Sequence, residues 1–127
     1  WALCMAGHLG YNISDSPNAH GFSDFFGFVD WNIAYYSHGA IAGGSTGASQ
    51  DTAKDMLVQN GEPSPTEGYT TDLFTSHAID FINSHAESAF FVEVAYNAAL
   101  PPYTPPADSV AAGLRLVRSK RTVYFLG

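Results

Sequence analysis

Two stretches of the chain have the hydrophobic pattern of buried strands. Residues 1–5 form a short apolar run that is closed by Gly7 and Gly10, which predicts a strand leading into a loop. Residues 89–95 form a second, nearly continuous apolar run, which is typical of a strand covered on both faces. Glu93 interrupts this second run and predicts an edge or a partner at that position.

A helix is predicted between the two runs, over about Thr71 to Ser84. Thr70 or Thr71 can cap it, and Asp72 lies in the first turn, where an acidic group favours the helix dipole. Apolar residues then recur at helical spacing; they are Phe74, Ala78, Phe81 and Ile82. Near the end of the chain, Val110 to Arg118 is also compatible with a helix.

The rest of the chain is irregular. Residues 11–68 are rich in aromatic residues but interrupted by Gly, Ser and Pro, and they predict a long loop that is either functional or contains short strands whose positions the pattern does not give. The Pro-rich residues 101–106 cannot continue a strand, so the chain leaves the predicted sheet after residue 95.

A helix followed by a buried strand predicts an α/β fold with a mainly parallel sheet. Only two core strands are predicted, and two strands do not form a stable sheet. We therefore expect 127 residues with this pattern to be a fragment of a larger domain and poorly folded alone.

Composition and charge exclude several classes of protein. With 46% hydrophobic and 13% charged residues, the chain is neither disordered nor a coiled coil. No apolar run approaches the roughly 20 residues of a membrane span. The net charge of −7 disfavours binding to nucleic acid, although residues 108–127 are basic.

His8 is the candidate catalytic residue, because it follows the first strand in the loop Gly7-His8-Leu9-Gly10. An imidazole there can donate to an oxyanion or act as a general acid, although a lone histidine in a glycine-rich loop more often has a structural role. His77 lies on the predicted helix and His85 directly follows it, eight residues later, without a third ligand, so no metal site is predicted. Cys4, the only cysteine, is expected to be a buried thiol.

Read in order, the loops resemble the middle of a type I, formylglycine-dependent sulfatase of the alkaline-phosphatase-like superfamily. The resemblance covers about residues 2–106 and consists of several motifs in the family's order. They are Ala6-Gly7-His8-Leu9-Gly10, Gly21-Phe22-Ser23-Asp24-Phe25-Phe26-Gly27-Phe28, Tyr35-Tyr36-Ser37-His38, Asp55 with Asn60-Gly61-Glu62, Gly68-Tyr69-Thr70-Thr71-Asp72, and Phe90-Phe91 with Ala95-Tyr96-Asn97-Ala98.

The resemblance implies that residues 1–127 are the central segment of an arylsulfatase-like sulfuric ester hydrolase. The family uses a formylglycine hydrate, made from a Cys/Ser-x-Pro-x-Arg motif, and a Ca²⁺ ion held by carboxylates. Met5, Ala6 and Gly7 follow Cys4, so Cys4 is not that nucleophile. The nucleophile and the metal ligands would lie outside this segment, which is expected to be inactive and without Ca²⁺ by itself.

Two of the family's contacts to the sulfate group are missing from this sequence. The sulfate-binding Lys of Gly-Lys-Trp-His falls on Ala6, and the Pro-His pair after the second strand falls on Ala99 and Leu100. Each lost contact to a developing anion costs about 3 kcal/mol, or roughly a hundredfold in rate. The two losses together would nearly abolish turnover.

Three functions therefore remain open: a sulfatase-derived segment, a non-catalytic pseudo-sulfatase that binds anionic ligands, and a phosphate or phosphonate ester hydrolase of the same superfamily. The resemblance implies a sulfated small molecule or glycan as partner, and a periplasmic, secreted or lysosomal location. Substrate-binding residues are not identified by the sequence.

Overall fold

A computed structural model describes residues 2–5, 14, 16–28, 33–39, 56–100 and 103–110. These residues form one five-stranded sheet with one long helix against it. In chain order the strands are β1 (Ala2–Met5), β2 (Asp24–Gly27), β3 (Val58–Gln59), β4 (Glu62–Pro63) and β5 (Phe91–Val94), and the helix is α1 (Thr70–Ser84).

The sheet is mixed, with the strand order β4-β3-β2-β1-β5. Its three longer strands are parallel, because β1 pairs in parallel with both β2 and β5. The pairings of β2 with β3 and of β3 with β4 are antiparallel. The predicted α/β class is confirmed, but the prediction of a mainly parallel sheet is not supported.

The difference arises in the segment that was predicted to be a long loop. That segment contributes β2, β3 and β4, so the prediction of only two core strands was wrong, and with it the premise for a poorly folded chain. β3 and β4 are each two residues long; β3 pairs with β2, which is distant along the chain, and β4 pairs with β3. Local periodicity cannot indicate strands of this length.

Asn60 and Gly61 form the tight turn between β3 and β4. Both residues have positive φ, 50° and 89° respectively. This conformation suits a two-residue hairpin turn, and Asn-Gly is the residue pair that adopts it most readily. The turn therefore explains how the chain reverses within four residues at this edge of the sheet.

The helix α1 confirms the predicted range to within one residue. Phe74, Ala78 and Phe81 are buried against the sheet, whereas Ile82, also predicted to face the core, is 40% exposed. The first turn contains Asp72 as predicted, but Tyr69 occupies the capping position and no side chain caps the helix. The predicted threonine cap was therefore wrong.

The core lies between α1 and the sheet. Its buried members are Phe26, Phe28, Ile33, Leu57, Phe74, Ala78 and Phe81. Aromatic rings meet within it at favourable geometry, with Phe26 and Phe74 edge to face at a centroid distance of 6.0 Å.

β5 is an edge strand in which exposed and partly buried side chains alternate. Val92 and Val94 pack on the core, while Phe91 is 59% exposed and Glu93 is exposed. Within the described residues, the expected burial of both faces is therefore not observed, whereas the edge position expected from Glu93 is. Residues 107–110 are helical, and 111–118 lie outside the described residues. No described helix is long and apolar enough to cross a membrane.

Candidate functional site

The candidate site lies at the carboxyl edge of the parallel strands. β1 and β5 run side by side, with Met5 opposite Val94, so both end at the same edge of the sheet. In α/β proteins, ligands bind in the loops that follow such strand ends. The loop after β5, residues 97–100, is described in full and is referred to below as the β5 loop.

Asn97 fixes the start of the β5 loop from within the protein. Its side chain is only 5% exposed. Its Oδ1 atom accepts a hydrogen bond from the Thr70 hydroxyl at 3.1 Å, and its Nδ2 atom donates to the Ile33 carbonyl at 3.4 Å. A buried amide with partners on both of its polar atoms is held in one orientation.

Tyr35 holds the other end of the β5 loop. Its hydroxyl donates to the Leu100 carbonyl at 2.8 Å and lies 3.1 Å from the Asn97 carbonyl. The same hydroxyl oxygen accepts from the Leu100 N–H at 3.0 Å. The whole residue is 2% exposed, so these hydrogen bonds are largely shielded from water.

Thr70 connects this loop to the beginning of α1. Its N–H donates to the Tyr35 carbonyl at 3.0 Å, in addition to the side-chain contact with Asn97. The Thr70 hydroxyl donates to Asn97 in the β5 loop, and this hydrogen bond explains why the hydroxyl does not cap the helix. Tyr35, Thr70 and Asn97 thus join three separate segments at one edge of the sheet.

Burial raises the pKa of the Tyr35 phenol above its ordinary value of 10.0. The hydrogen bond with the backbone of Leu100 lowers this pKa, and the nearby phenols of Tyr69 and Tyr103 raise it. The net direction is upward, so the hydroxyl keeps its proton at neutral pH. Tyr35 therefore serves as a neutral donor and acceptor in this position.

A cavity of about 400 Å³ opens beside the β5 loop. The described residues that line it are Tyr35, Tyr69, Ala98, Ala99, Tyr103, Thr104 and Pro105. It is referred to below as the tyrosine cavity. The Tyr35 and Tyr69 rings stack at a centroid distance of 5.3 Å, and Tyr103 is 66% exposed.

The predicted catalytic residue His8 lies outside the described residues, as does Ala6. The two departures after the second strand are described, and both lie in the β5 loop. Ala99 lines the tyrosine cavity, and Leu100 is 41% exposed. The side chain at position 100 is therefore accessible, while its backbone is fixed by Tyr35.

His77 and His38 have structural partners. His77 Nε2 lies 3.2 Å from Asp24 Oδ2, and its ring stacks on Phe26 at 4.8 Å. His38 is 1% exposed, and its Nε2 donates to the Gly68 carbonyl at 2.9 Å. Among the described residues, no group of three or more His, Cys, Asp or Glu could hold a metal ion.

Sequence reasoning missed the roles of Tyr35, Thr70 and Asn97. The sequence indicated Tyr35 and Asn97 only as parts of motifs, and Thr70 only as part of a motif and as a possible cap. The polar Asn97 directly after a buried strand was a usable signal, because strand ends position site residues. Nothing local indicated Tyr35, whose partner Leu100 is 65 residues away.

Comparisons with known proteins identify the fold through structure alone. No family model matches the sequence, and no curated protein matches it. The crystal structure of Ps i-CgsB in complex with k-i-k-neocarrahexaose is similar to this chain, with a TM-score of 0.67 and 21% sequence identity over 87% of this chain. A second crystal structure of Ps i-CgsB is similar to this chain with a TM-score of 0.66, also at 21% identity over 87% of this chain.

The chain spans about a quarter of the length of these solved structures, since the match covers 26% of each of them. The likeness therefore concerns one segment of a longer fold. The described residues, with the β5 loop at the carboxyl edge of the parallel strands, have a sulfatase-like fold.

Proposed function

We propose that this chain is the central segment of a sulfatase-like domain that acts on a sulfated carbohydrate. The observation that carries the proposal is the structural match to Ps i-CgsB over 87% of the chain. Ps i-CgsB was crystallised with a neocarrahexaose, which is a sulfated carrageenan oligosaccharide. The order of the sulfatase-like motifs along residues 2–106 supports the same proposal independently.

In this proposal the residues of the chain position the substrate at the carboxyl edge of the sheet. The Tyr35 hydroxyl and the Asn97 amide hold the β5 loop, so that position 100 is presented beside the tyrosine cavity. His8 follows β1, the parallel neighbour of β5. Its imidazole would hydrogen-bond a sulfate oxygen or protonate the leaving oxygen.

The described residues provide neither ligands for the family's Ca²⁺ ion nor the motif from which its formylglycine is made. No described cluster of carboxylates and histidines could hold an ion, and the sequence contains no Cys/Ser-x-Pro-x-Arg motif. Both groups would belong to other parts of a complete domain. The isolated chain is accordingly expected to release no sulfate.

One observation favours a second function, that of a non-catalytic binding protein. Leu100 occupies the exposed position where the family has histidine, and a leucine side chain neither donates a hydrogen bond nor carries charge. Ala6 similarly lacks the cationic group of the family's lysine. A site with these two residues would retain ligand binding more readily than turnover.

The test uses the complete gene product that contains this segment. It is incubated with a sulfated neocarrahexaose and with a phosphate ester, and released sulfate and phosphate are measured by ion chromatography. Sulfate release supports the sulfatase, and binding of the hexaose without release supports the binding protein. Release of phosphate alone, or the absence of both release and binding, would overturn the proposal.

A further inference from the structure

The tyrosine cavity has the composition of a site for an uncharged ring. Its described lining consists of three tyrosines, two alanines, a threonine and a proline. None of these side chains carries a charge at neutral pH. Its volume of about 400 Å³ falls within the range of about 300–1,000 Å³ that is common for small-molecule sites.

None of the described residues that line the cavity is a lysine or an arginine, so this part of its wall offers no cationic side chain to a sulfate group. The described wall therefore suits an uncharged part of a ligand.

Tyrosine rings suit the apolar face of a sugar. The C–H groups on one face of a pyranose ring carry slight positive charge, and the face of an aromatic ring carries negative charge. Tyrosine also provides a hydroxyl at its tip, and Thr104 adds a second type of hydroxyl to the wall. These groups match the alternation of C–H faces and hydroxyls in a carbohydrate.

The wall of the cavity is fixed to the β5 loop. The Tyr103 N–H donates to the Leu100 carbonyl at 3.2 Å, and the same carbonyl accepts from the Tyr35 hydroxyl at 2.8 Å. Tyr69 is stacked on Tyr35 and packed against Tyr36 at 5.1 Å. The cavity is thus preorganised next to the exposed position 100, which reduces the ordering cost of binding.

We infer that the tyrosine cavity binds one unsulfated pyranose ring of a carbohydrate chain, with Tyr103 as the main contact. The inference rests on the proposed function for the choice of carbohydrate, and it deepens that function by assigning the ring beside the sulfated one to this cavity. Tyr103 is the natural residue to test because it is 66% exposed.

The experiment measures binding of two hexasaccharides to the complete gene product by titration calorimetry. One is the sulfated neocarrahexaose, and the other is its chemically desulfated counterpart. Tyr103→Ala is expected to weaken binding of both by about tenfold, since removing an aromatic platform under a planar ligand has effects of this order. Tyr103→Phe keeps the ring and is expected to bind within about threefold of the unmodified protein.

Tyr96→Ala is the matched control. Tyr96 is another exposed tyrosine, at 43%, and it is not among the residues that line the cavity. Its hydroxyl lies 2.8 Å from that of Thr75. Its replacement should leave both affinities unchanged. A thermal melt of each variant shows whether it is folded.

Unchanged binding by folded Tyr103→Ala, or no detectable binding of the desulfated hexasaccharide, would overturn the inference. Failure of the proposed function looks different in the same experiment. In that case the protein would show no preference for the sulfated over the desulfated hexasaccharide, whatever the effect of the Tyr103 substitutions.

Discussion

The Tyr35 hydroxyl forms two hydrogen bonds with the backbone of Leu100. It donates to the Leu100 carbonyl at 2.8 Å and accepts from the Leu100 N–H at 3.0 Å, across 65 residues of sequence. One buried side chain thereby fixes both polar groups of the residue that faces the candidate site. The position of the β5 loop consequently depends on Tyr35 as much as on the strand that precedes the loop.

Tyr35→Phe is expected to destabilise the protein by about 1 kcal/mol, the typical net contribution of an intramolecular hydrogen bond. The loss is moderate because the Leu100 N–H keeps a contact with the Asn97 carbonyl and the Leu100 carbonyl keeps one with the Tyr103 N–H. Urea denaturation measures the change. Tyr36→Phe is the control, since Tyr36 is 51% exposed and its substitution should change stability by less than about 0.5 kcal/mol. Equal stability of the two variants would contradict this role of Tyr35.

The raised pKa of Tyr35 predicts that the protein loses stability at alkaline pH. Burial raises its pKa in the folded protein above the ordinary value of 10.0, so above that pH the unfolded chain releases the proton more readily than the folded protein does. The contribution of the protonated Tyr35 phenol to the free energy of unfolding is complete below pH 10.0, and it is lost as the pH rises through the pKa of the folded protein. The free energy of unfolding at about pH 8 and about pH 10.5 should differ more for the unmodified protein than for Tyr35→Phe. The same pH dependence in both proteins would refute the assignment.

Asn60 is expected to stabilise the sheet in two ways: its side chain forms hydrogen bonds to β2, and its backbone adopts the positive φ that the turn requires. Its Oδ1 accepts from the Phe25 N–H at 2.8 Å, and its Nδ2 donates to Asp24 Oδ1 at 3.1 Å. Asn60→Gly keeps the positive φ but removes these bonds, which should cost about 1–3 kcal/mol. Asn60→Ala should cost about 1 kcal/mol more, because a left-handed conformation is unfavourable for alanine.

Chemical denaturation of the two Asn60 variants separates these contributions. If both variants were as stable as the unmodified protein, the hydrogen bonds of the Asn60 side chain would not stabilise the fold. If the alanine and glycine variants were equally destabilised, the positive φ would carry no cost.

The regular elements were predictable to the extent that local pattern determines them. The helix α1 was predicted to within one residue because Phe74, Ala78 and Phe81 repeat at helical spacing. The strand β5 was predicted as an apolar run. By contrast, β3 depends on pairing with β2, which lies more than 30 residues earlier, and β4 in turn pairs with β3. Asn60-Gly61 is a typical hairpin pair, and it was the local signal that could have indicated this turn.

The site was less predictable than the fold for the same physical reason. Its fixed geometry comes from contacts between distant segments, such as Thr70 with Asn97 and Tyr35 with Leu100. Single-sequence patterns do not report such pairs. The position of Leu100 was identified through resemblance, and its exposure then followed from the structure.

Restoring the family's lysine at position 6 and its histidine at position 100 should raise the rate of sulfate release by the complete gene product. Ala6→Lys and Leu100→His would each add a contact to the developing anion, and each is expected to raise the rate of sulfate release by roughly a hundredfold. Ion chromatography of released sulfate measures the change, and Leu100→Gln is a control that adds a polar group without a titratable ring. No gain from either substitution would indicate that these positions do not face the reacting sulfate.

His8→Ala tests the predicted catalytic residue in the same system. In the doubly restored protein it should lower the rate of sulfate release by well over tenfold, as expected for a general acid or an oxyanion donor. His38→Gln serves as a structural control, because His38 is bonded to the Gly68 carbonyl inside the protein. An unchanged rate in His8→Ala would remove His8 from the mechanism.

The most direct test of the central claim is the affinity of the complete gene product for a neocarrahexaose compared with its desulfated counterpart. A sulfatase-like site for sulfated carbohydrate predicts at least about tenfold tighter binding of the sulfated hexasaccharide, which corresponds to about 1.4 kcal/mol. Equal affinity for the two hexasaccharides would contradict the account, because a protein that does not distinguish them has no site for the sulfate group.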